Sequence, residues 1–254
     1  MYFKAWSRRS TKMPKLRARK LILSLLLMLG GWASAQTVTI ISVGDTLQKP
    51  KYAEFIYLND STDTSSSVPV ATISANGSLK DPVMLYSNIR KQAQRYGANG
   101  FRFNNFKRID TETGELTLDL FHCSDSLLGE NFLKLSKSRA YVLGDGDMTQ
   151  ESTQSFKADG KKYLLKSGHY MVFPVAQEAE FRISKGGFTG MTRFYKGGAE
   201  KNAVFYSFSG FGIVGANYMA SGAGQGVGVN FTTGTIHKID ESIGQLLLKI
   251  FSEQ

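Results

Sequence analysis

The chain of 254 residues carries 31 Lys and Arg against 21 Asp and Glu, a formal net charge of +10 at pH 7. Eight of the basic residues and none of the acidic ones lie in residues 1–35, so the following 219 residues carry 23 basic and 21 acidic side chains. This near balance gives no overall electrostatic argument for nucleic-acid binding, and the single cysteine, Cys123, excludes an internal disulfide.

Residues 1–35 have the pattern of an export signal. A basic stretch ending at Lys20 precedes the apolar run Leu21–Leu29, and Ala33-Ser34-Ala35 follows as a cleavage site. The apolar run is much shorter than the roughly 20 residues that span a bilayer. We expect an exported protein that is periplasmic, associated with the cell envelope or secreted, whether translation starts at Met1 or at Met13.

Three short strands are predicted after the leader. Thr37–Val43 is rich in β-branched residues, Lys51–Leu58 is a second candidate, and Val68–Ser74 is a third that ends before Asn76-Gly77. The polar stretch Asn59–Ser67 is predicted to be a loop, because its short polar side chains form hydrogen bonds with the local backbone.

The clearest helix is predicted to begin at Asp81 and to end at Gly97. Asp81 is a favourable N-cap, Pro82 suits the first turn, and glycine suits the end of a helix. Apolar residues at helical spacing form one stripe that a sheet could cover: Leu85, Ile89, Ala93 and Tyr96.

A hairpin follows, in which Phe101–Ile109 and Glu115–Phe121 are strands and Asp110–Gly114 is the turn. Apolar and polar residues alternate along both strands, which predicts one buried face. Ser124–Lys137 is predicted to be a second helix. Its apolar side consists of Leu127, Leu128, Phe132 and Leu135. These elements predict an α+β domain over residues 36–147, in which a helix covers a sheet, with a boundary at the Gly144–Asp147 turn.

Residues 148–254 are predicted to form a β-rich domain, because helical periodicity fades there. Phe156–Ala158 and Lys161–Leu165 flank an Asp-Gly turn, which is typical of a hairpin. Further strands at spacings of about ten residues are typical of a β-sandwich. They are Tyr170–Val175, Glu180–Ser184 and Met191–Tyr195. The expected fold class is therefore α+β, a helix-on-sheet domain followed by a sandwich-like one.

The segment Ile89–Phe103, IRKQAQRYGANGFRF, is a predicted helix that ends in Gly97-Ala98-Asn99 and leads into a strand. It resembles the helix-to-strand junction of small exported α/β domains, namely the outer-membrane stress-sensor lipoproteins and a heavy-metal-binding family. The resemblance covers 15 residues and implies a fold only. Because this chain lacks the several cysteines of the sensor lipoproteins, the resemblance implies neither sensing nor metal binding.

A basic patch is the best candidate for a binding site. No acidic residue lies between Asp81 and Asp110, but six basic ones do: Arg90, Lys91, Arg95, Arg102, Lys107 and Arg108. If the exposed helix face and the following strand adjoin, these cations could hold an anionic glycan, a lipid headgroup or an acidic protein partner. Nucleic acid is not expected in an exported protein. The plainer alternative is a solvated face paired with Asp110, Glu112 and Glu115.

The segment Asn202–Ile236 contains no charged residue. Small residues recur within it at every fourth position: Gly212, Ala216, Ala220, Gly224 and Gly228. Such a stripe lets helices pack closely within membranes. However, the many other glycines disfavour a helix, and Gly226–Phe231 favours a strand. We expect buried sheet with glycine-rich loops, and a membrane-contacting or self-associating segment is the alternative.

Catalysis has little support in the sequence, which contains no Gly-x-Ser-x-Gly, no His-Glu-x-x-His and no phosphate-binding loop. We expect Cys123 to be a buried structural thiol, and it could act as a nucleophile only if folding brought His169 or His237 to it. Asp145 and Asp147 fit a turn better than a metal site, and no cofactor is expected. The sequence predicts a non-enzymatic binding or interaction module of the cell envelope. A membrane-associated structural component and a Cys-dependent hydrolase are the alternatives.

Overall fold

The computed structural model describes residues 36–44, 54–186, 190–209 and 235–254. The predicted leader lies outside these ranges, so export stays a prediction. Residues 36–254 group into one compact unit. Its described part is a mixed α/β structure, mostly strand, with three helices and three open sheets. No helix within the described ranges is long and apolar enough to cross a membrane.

Sheet 1 contains five strands: β1 (Thr37–Val43), β2 (Ile56–Tyr57), β3 (Val68–Ser78), β4 (Gly100–Arg108) and β5 (Thr113–His122). They lie in the order β1-β3-β5-β4-β2 and are antiparallel, except that β2 and β4 are parallel. The predicted hairpin is confirmed as β4 and β5, with Phe101 opposite Leu120. A bulge at Asn104 keeps Phe106 opposite Leu116, so the apolar residues of both strands stay on one face.

Strand β3 continues beyond its predicted end at Ser74. Asn76 and Gly77 remain in register with β5 instead of ending the strand, so that expectation is wrong. A Cβ atom at position 77 would lie 2.9 Å from Leu85 Cδ2. The glycine therefore allows a helix to approach the sheet closely. The second predicted strand is shorter than expected, because only the two residues of β2 pair among its described residues.

Helix α1 (Pro82–Ala93) covers the inner face of sheet 1, as predicted. The side chain of Asp81 caps it by accepting a hydrogen bond from the Val83 backbone N–H at 3.0 Å. Three stripe residues are fully buried in one cluster with the strands, namely Leu85, Ile89 and Ala93, and Tyr96 packs partly buried against them. Gly97, with a φ of 82°, closes the turn after the helix.

Helix α2 (Asp125–Lys134) begins after Ser124, whose hydroxyl accepts a hydrogen bond from the Leu127 backbone N–H at 3.3 Å. It is shorter than the predicted helix. On its predicted apolar side Leu127 and Leu135 are buried, whereas the Phe132 side chain is 49% exposed.

Nine further strands follow: β6 (Arg139–Leu143), β7 (Thr153–Ala158), β8 (Lys161–Lys166), β9 (His169–Pro174), β10 (Glu180–Lys185), β11 (Met191–Lys196), β12 (Val204–Ser207), β13 (His237–Ile239) and β14 (Ser252–Glu253). Sheet 2 has the order β11-β10-β7-β8, and sheet 3 has the order β13-β12-β6-β9-β14. The five strands predicted between residues 148 and 196 are confirmed, as β7 to β11.

A third helix, α3 (Glu241–Ile250), lies in the region predicted to be β-rich. The expectation that helical structure fades after residue 147 is wrong for this segment. Its buried apolar residues recur at helical spacing: Ile243, Leu246, Leu247 and Ile250. A Cβ on Gly244 would lie 2.3 Å from Phe205 Cγ, so the helix backbone lies directly on a side chain of sheet 3.

Neighbouring residues of sheet 3 belong to two different clusters. Val142 is buried together with Phe156 and Phe181 of sheet 2. Tyr141 is buried together with Phe205, α3 and the inner face of sheet 1. Residues from both sides of position 147 therefore share one core cluster, and the division into two domains there stays a prediction.

Candidate binding faces

Three of the six predicted patch residues lie on α1 or directly after it. Lys91 and Arg95 are exposed, and Arg90 is partly buried. Arg95 donates a hydrogen bond from Nη1 to Gln92 Oε1 at 3.1 Å. The helical spacing correctly predicted that this part of the patch faces away from the sheet.

Arg102 lies on the opposite side of sheet 1. Phe101 packs under α1, with its ring centroid 5.3 Å from that of Tyr86, so strand alternation turns Arg102 to the outer face. There its Nη2 donates to the carbonyl of Thr62, and its guanidinium lies 5.9 Å from the ring centroid of Phe121. Arg102 therefore holds the polar loop against the sheet and does not join the α1 cations.

The last two predicted residues, Lys107 and Arg108, project on opposite sides of sheet 1, since Arg108 follows the alternation of Phe106. Lys107 stands opposite Glu115 in the register of β4 and β5. Arg108 donates from Nη2 to the carbonyl of Met148 at 2.7 Å. The six cations do not form one patch, because sheet 1 lies between α1 and the outer-face side chains of Arg102 and Lys107, and Arg108 is bonded to Met148.

The outer face of sheet 1 carries a polar network centred on two carboxylates. Asp119 accepts hydrogen bonds from Thr72 Oγ1 at 2.7 Å and from Asn104 Nδ2 at 2.9 Å. Glu115 accepts one from Ser74 Oγ at 2.5 Å. These carboxylates lie beside the cations of β4, so this face has no excess of positive charge.

A small cavity opens at one end of the same face. Its volume is about 210 Å³, and Ser42, Pro69, Asp119 and Phe121 are among the residues that line it. Small-molecule sites usually enclose about 300–1,000 Å³. The cavity is therefore a weak candidate for a ligand site.

The outer face of sheet 2 differs from that of sheet 1, and the sequence analysis missed it. Four exposed cations project from it: Lys157, Lys162, Lys166 and Arg182. Lys157 stands directly opposite Lys162 across β7 and β8, and its other neighbour is Ser184 of β10. Within the described ranges, no ion pair or hydrogen bond engages the charged groups of these four side chains.

The carboxylates of sheet 2 lie at the end that contains the turn between β7 and β8. Asp159, in the turn between β7 and β8, accepts a hydrogen bond from the Arg182 backbone N–H at 2.8 Å. Glu180 stands opposite Lys196, which also forms a 2.5 Å ion pair with Glu178. The middle of the face and strand β8 therefore carry an excess of positive charge.

Two large apolar side chains project among these cations. Leu164 is 54% exposed in the edge strand β8, and Phe194 is 56% exposed in the opposite edge strand β11. The guanidinium of Arg182 lies 5.9 Å from the Phe194 ring centroid. We call this surface the basic face of sheet 2; it comprises Lys157, Lys162, Leu164, Lys166, Arg182 and Phe194.

The signal for this face was present in the sequence. Asp159 and Gly160 both have positive φ, at 48° and 81°, as the two central residues of a tight hairpin turn require. An Asp-Gly hairpin sets Ala158 opposite Lys161, and it therefore sets Lys157 opposite Lys162. The predicted hairpin is confirmed, and its register brings the two lysines together.

Cys123 lies in an apolar cluster with Leu58 and Leu127, where it is 2% exposed. Burial raises the pKa of its thiol to about 11, against a smaller opposing effect of the Arg102 charge. His169 Nδ1 lies 2.8 Å from the Ser167 carbonyl. The apolar surroundings of Cys123 disfavour the thiolate, which is the form of cysteine that attacks as a nucleophile.

No cluster of three or more His, Cys, Asp or Glu suited to a metal ion occurs in the described part of the chain. Asp145 and Asp147 instead accept backbone N–H groups within their turn, from Asp147 at 3.2 Å and from Thr149 at 2.9 Å. Gly212, Ala216, Ala220, Gly224 and Gly228, like the strand predicted at Gly226–Phe231, lie outside the described residues. At the described ends of that segment, β12 and Ile236 are buried.

The chain matches no protein-family model, no curated protein and no solved structure. The resemblance of residues 89–103 to exported α/β domains therefore stays untested.

Proposed function

We propose that this protein is an exported, non-enzymatic binding module of the cell envelope, and that it binds an anionic ligand through the basic face of sheet 2. The observation that carries the proposal is the opposition of Lys157 and Lys162. Like charges directly opposite each other destabilise a sheet. An anionic partner would remove this cost by lying across both ammonium groups.

Export is supported by the leader in residues 1–35. We also propose the finer architecture, in which an α+β domain precedes a sandwich-like one. The packing of α1 on sheet 1 supports the first part, and the cluster that sheets 2 and 3 share supports the second. Lys91 of α1 and Arg95 directly after it are also exposed, but they lie outside the basic face of sheet 2 and serve as the charge-matched comparison.

The test is binding of the purified protein to an envelope fraction of its host at increasing salt. The double variant Lys157→Glu/Lys162→Glu reverses two charges on the basic face of sheet 2. Its matched control, Lys91→Glu/Arg95→Glu, makes the same change in net charge on α1. We expect salt to weaken binding by the unsubstituted protein, because exposed charges are screened over about 10 Å at 0.1 M salt.

We further expect the sheet 2 variant to lose binding and the α1 variant to retain it. Loss in the α1 variant alone would move the site to the α1 cations. Binding that salt does not weaken and that only detergent reverses would contradict the proposal. It would favour the alternative, a membrane-associated component held by residues 202–236.

A further inference from the structure

We infer that the basic face of sheet 2 docks onto a membrane surface that contains acidic phospholipids. This inference rests on the proposed binding function and names the partner. The juxtaposition that supports it is a four-stranded sheet face whose exposed lysines flank exposed apolar side chains.

The geometry of the face suits a broad surface. Adjacent strands lie about 4.8 Å apart, so the edge strands β8 and β11 are about 14 Å apart. Along β8, Lys162, Leu164 and Lys166 lie on the same side, separated by about 7 Å from one to the next. Cations and apolar groups thus project together in one direction.

The combination of lysines with exposed apolar side chains distinguishes a bilayer from other anionic partners. Lysine side chains can place their ammonium groups at the level of lipid phosphates while their stems follow apolar surroundings. Leu164 and Phe194 would then enter the boundary between headgroups and acyl chains. A soluble anionic polymer would neutralise the same lysines but would leave Leu164 in water.

The acidic residues of sheet 2 leave this face free to contact an anionic surface. Glu178 and Glu180 lie with Lys196 at one end of sheet 2, away from the pair of Lys157 and Lys162. Asp159 binds the Arg182 backbone N–H in the turn. On the outer side of β7 and β8 the exposed side chains are three lysines with Thr153, Ser155 and Leu164, and none is acidic.

The experiment measures sedimentation of the protein with vesicles of phosphatidylcholine, with and without phosphatidylglycerol. Because residues 36–254 form a compact unit, the leader is removed from every sample so that its apolar run does not bind lipid. Circular dichroism of each variant checks the fold. A soluble sulfated polysaccharide serves as the competing anionic partner.

We expect binding only where phosphatidylglycerol is present. Each lysine near an acidic bilayer contributes about fivefold, so Lys157→Glu/Lys162→Glu should weaken binding by more than about 25-fold. Lys91→Glu/Arg95→Glu should leave binding unchanged. Leu164→Ser/Phe194→Ser should weaken vesicle binding by about tenfold and leave polysaccharide binding unchanged.

Equal binding to both kinds of vesicle would overturn the inference, as would vesicle binding that Lys157→Glu/Lys162→Glu does not alter. Binding to the polysaccharide without binding to acidic vesicles would also overturn it, while leaving the proposed function intact. Failure to bind the vesicles, the polysaccharide or the envelope fraction would remove both.

Discussion

Sheets 1 and 2 both present cations on an outer face, yet the strand register places different partners beside them. On sheet 1, Arg102 stands opposite Asp119 and Lys107 opposite Glu115. On sheet 2, Lys157 stands opposite Lys162. A cluster of cations in the sequence is thus a poor guide to a binding site until the residues opposite them are known.

The two faces also differ in what covers them. Part of the outer face of sheet 1 lies under α2 and the polar loop of residues 59–67. Asn131 of α2, which is 1% exposed, accepts hydrogen bonds from the Asn59 backbone N–H at 2.8 Å and Thr62 Oγ1 at 2.9 Å, and it donates one to the Tyr57 carbonyl at 2.9 Å. The basic face of sheet 2 is exposed, which leaves it available to a partner.

The largest expected difference is between the rates at which the Cys123 thiol is labelled in the native and in the unfolded protein. Cys123 lies under α2. Because burial raises the pKa of its thiol from 9.0 to about 11, we expect labelling of the native protein at pH 7 to be at least about 100-fold slower than labelling of the unfolded chain. A thiol-reactive dye measures both rates. Fast labelling of the native protein would show that this part of sheet 1 is open and would revive the hydrolase alternative.

The raised pKa of the Cys123 thiol also makes the stability of the protein depend on pH. The unfolded chain releases the Cys123 proton at lower pH than the native protein does, so stability falls as pH rises between about 9 and 11. Cys123→Ala should remove this contribution. Urea unfolding across that range compares the two proteins.

The second largest expected effect is a loss of stability when Asn131 is replaced. Asn131→Ala leaves the Asn59 N–H, the Thr62 hydroxyl and the Tyr57 carbonyl without their partner. We expect a loss of about 3 kcal/mol in the free energy of unfolding, because buried polar groups become unsatisfied. Ser155→Ala on the outer face of sheet 2 is the control, with an expected change within about 0.5 kcal/mol. Equal effects in urea unfolding would contradict the contrast between covered and exposed faces.

The smallest expected effect is a gain in the free energy of unfolding. Lys162→Glu replaces a like-charge pair with an opposite-charge pair, and we expect it to stabilise the protein by about 0.2–1 kcal/mol while weakening anion binding. Lys166→Glu, opposite Thr153, should change stability less. Salt should reduce the gain. A destabilised Lys162→Glu protein would show that the lysine pair has an unrecognised structural role.

Local signals predicted much of the chain correctly. Helix α1, the hairpin of β4 and β5 and the strands β7 to β11 follow from caps, turns and alternation within a few residues. Helix α3 was not predicted, although the local sequence carries its signal: Ile243, Leu246, Leu247 and Ile250 recur at helical spacing. The extension of β3 through Gly77 could not be predicted from local signals, since it consists of pairing with Glu115 and Gly114 of β5.

By itself, the sequence determined where segments begin and turn, including the Asp159-Gly160 turn that pairs Lys157 with Lys162. Such features depend on hydrogen bonds and periodicity between near neighbours in the chain. Only the tertiary structure decided that Arg102 meets the carbonyl of Thr62 and that Leu58 and Leu127 surround Cys123. Those outcomes depend on which distant segment covers each face, as Asn131 does when it binds the carbonyl of Tyr57, 74 residues earlier.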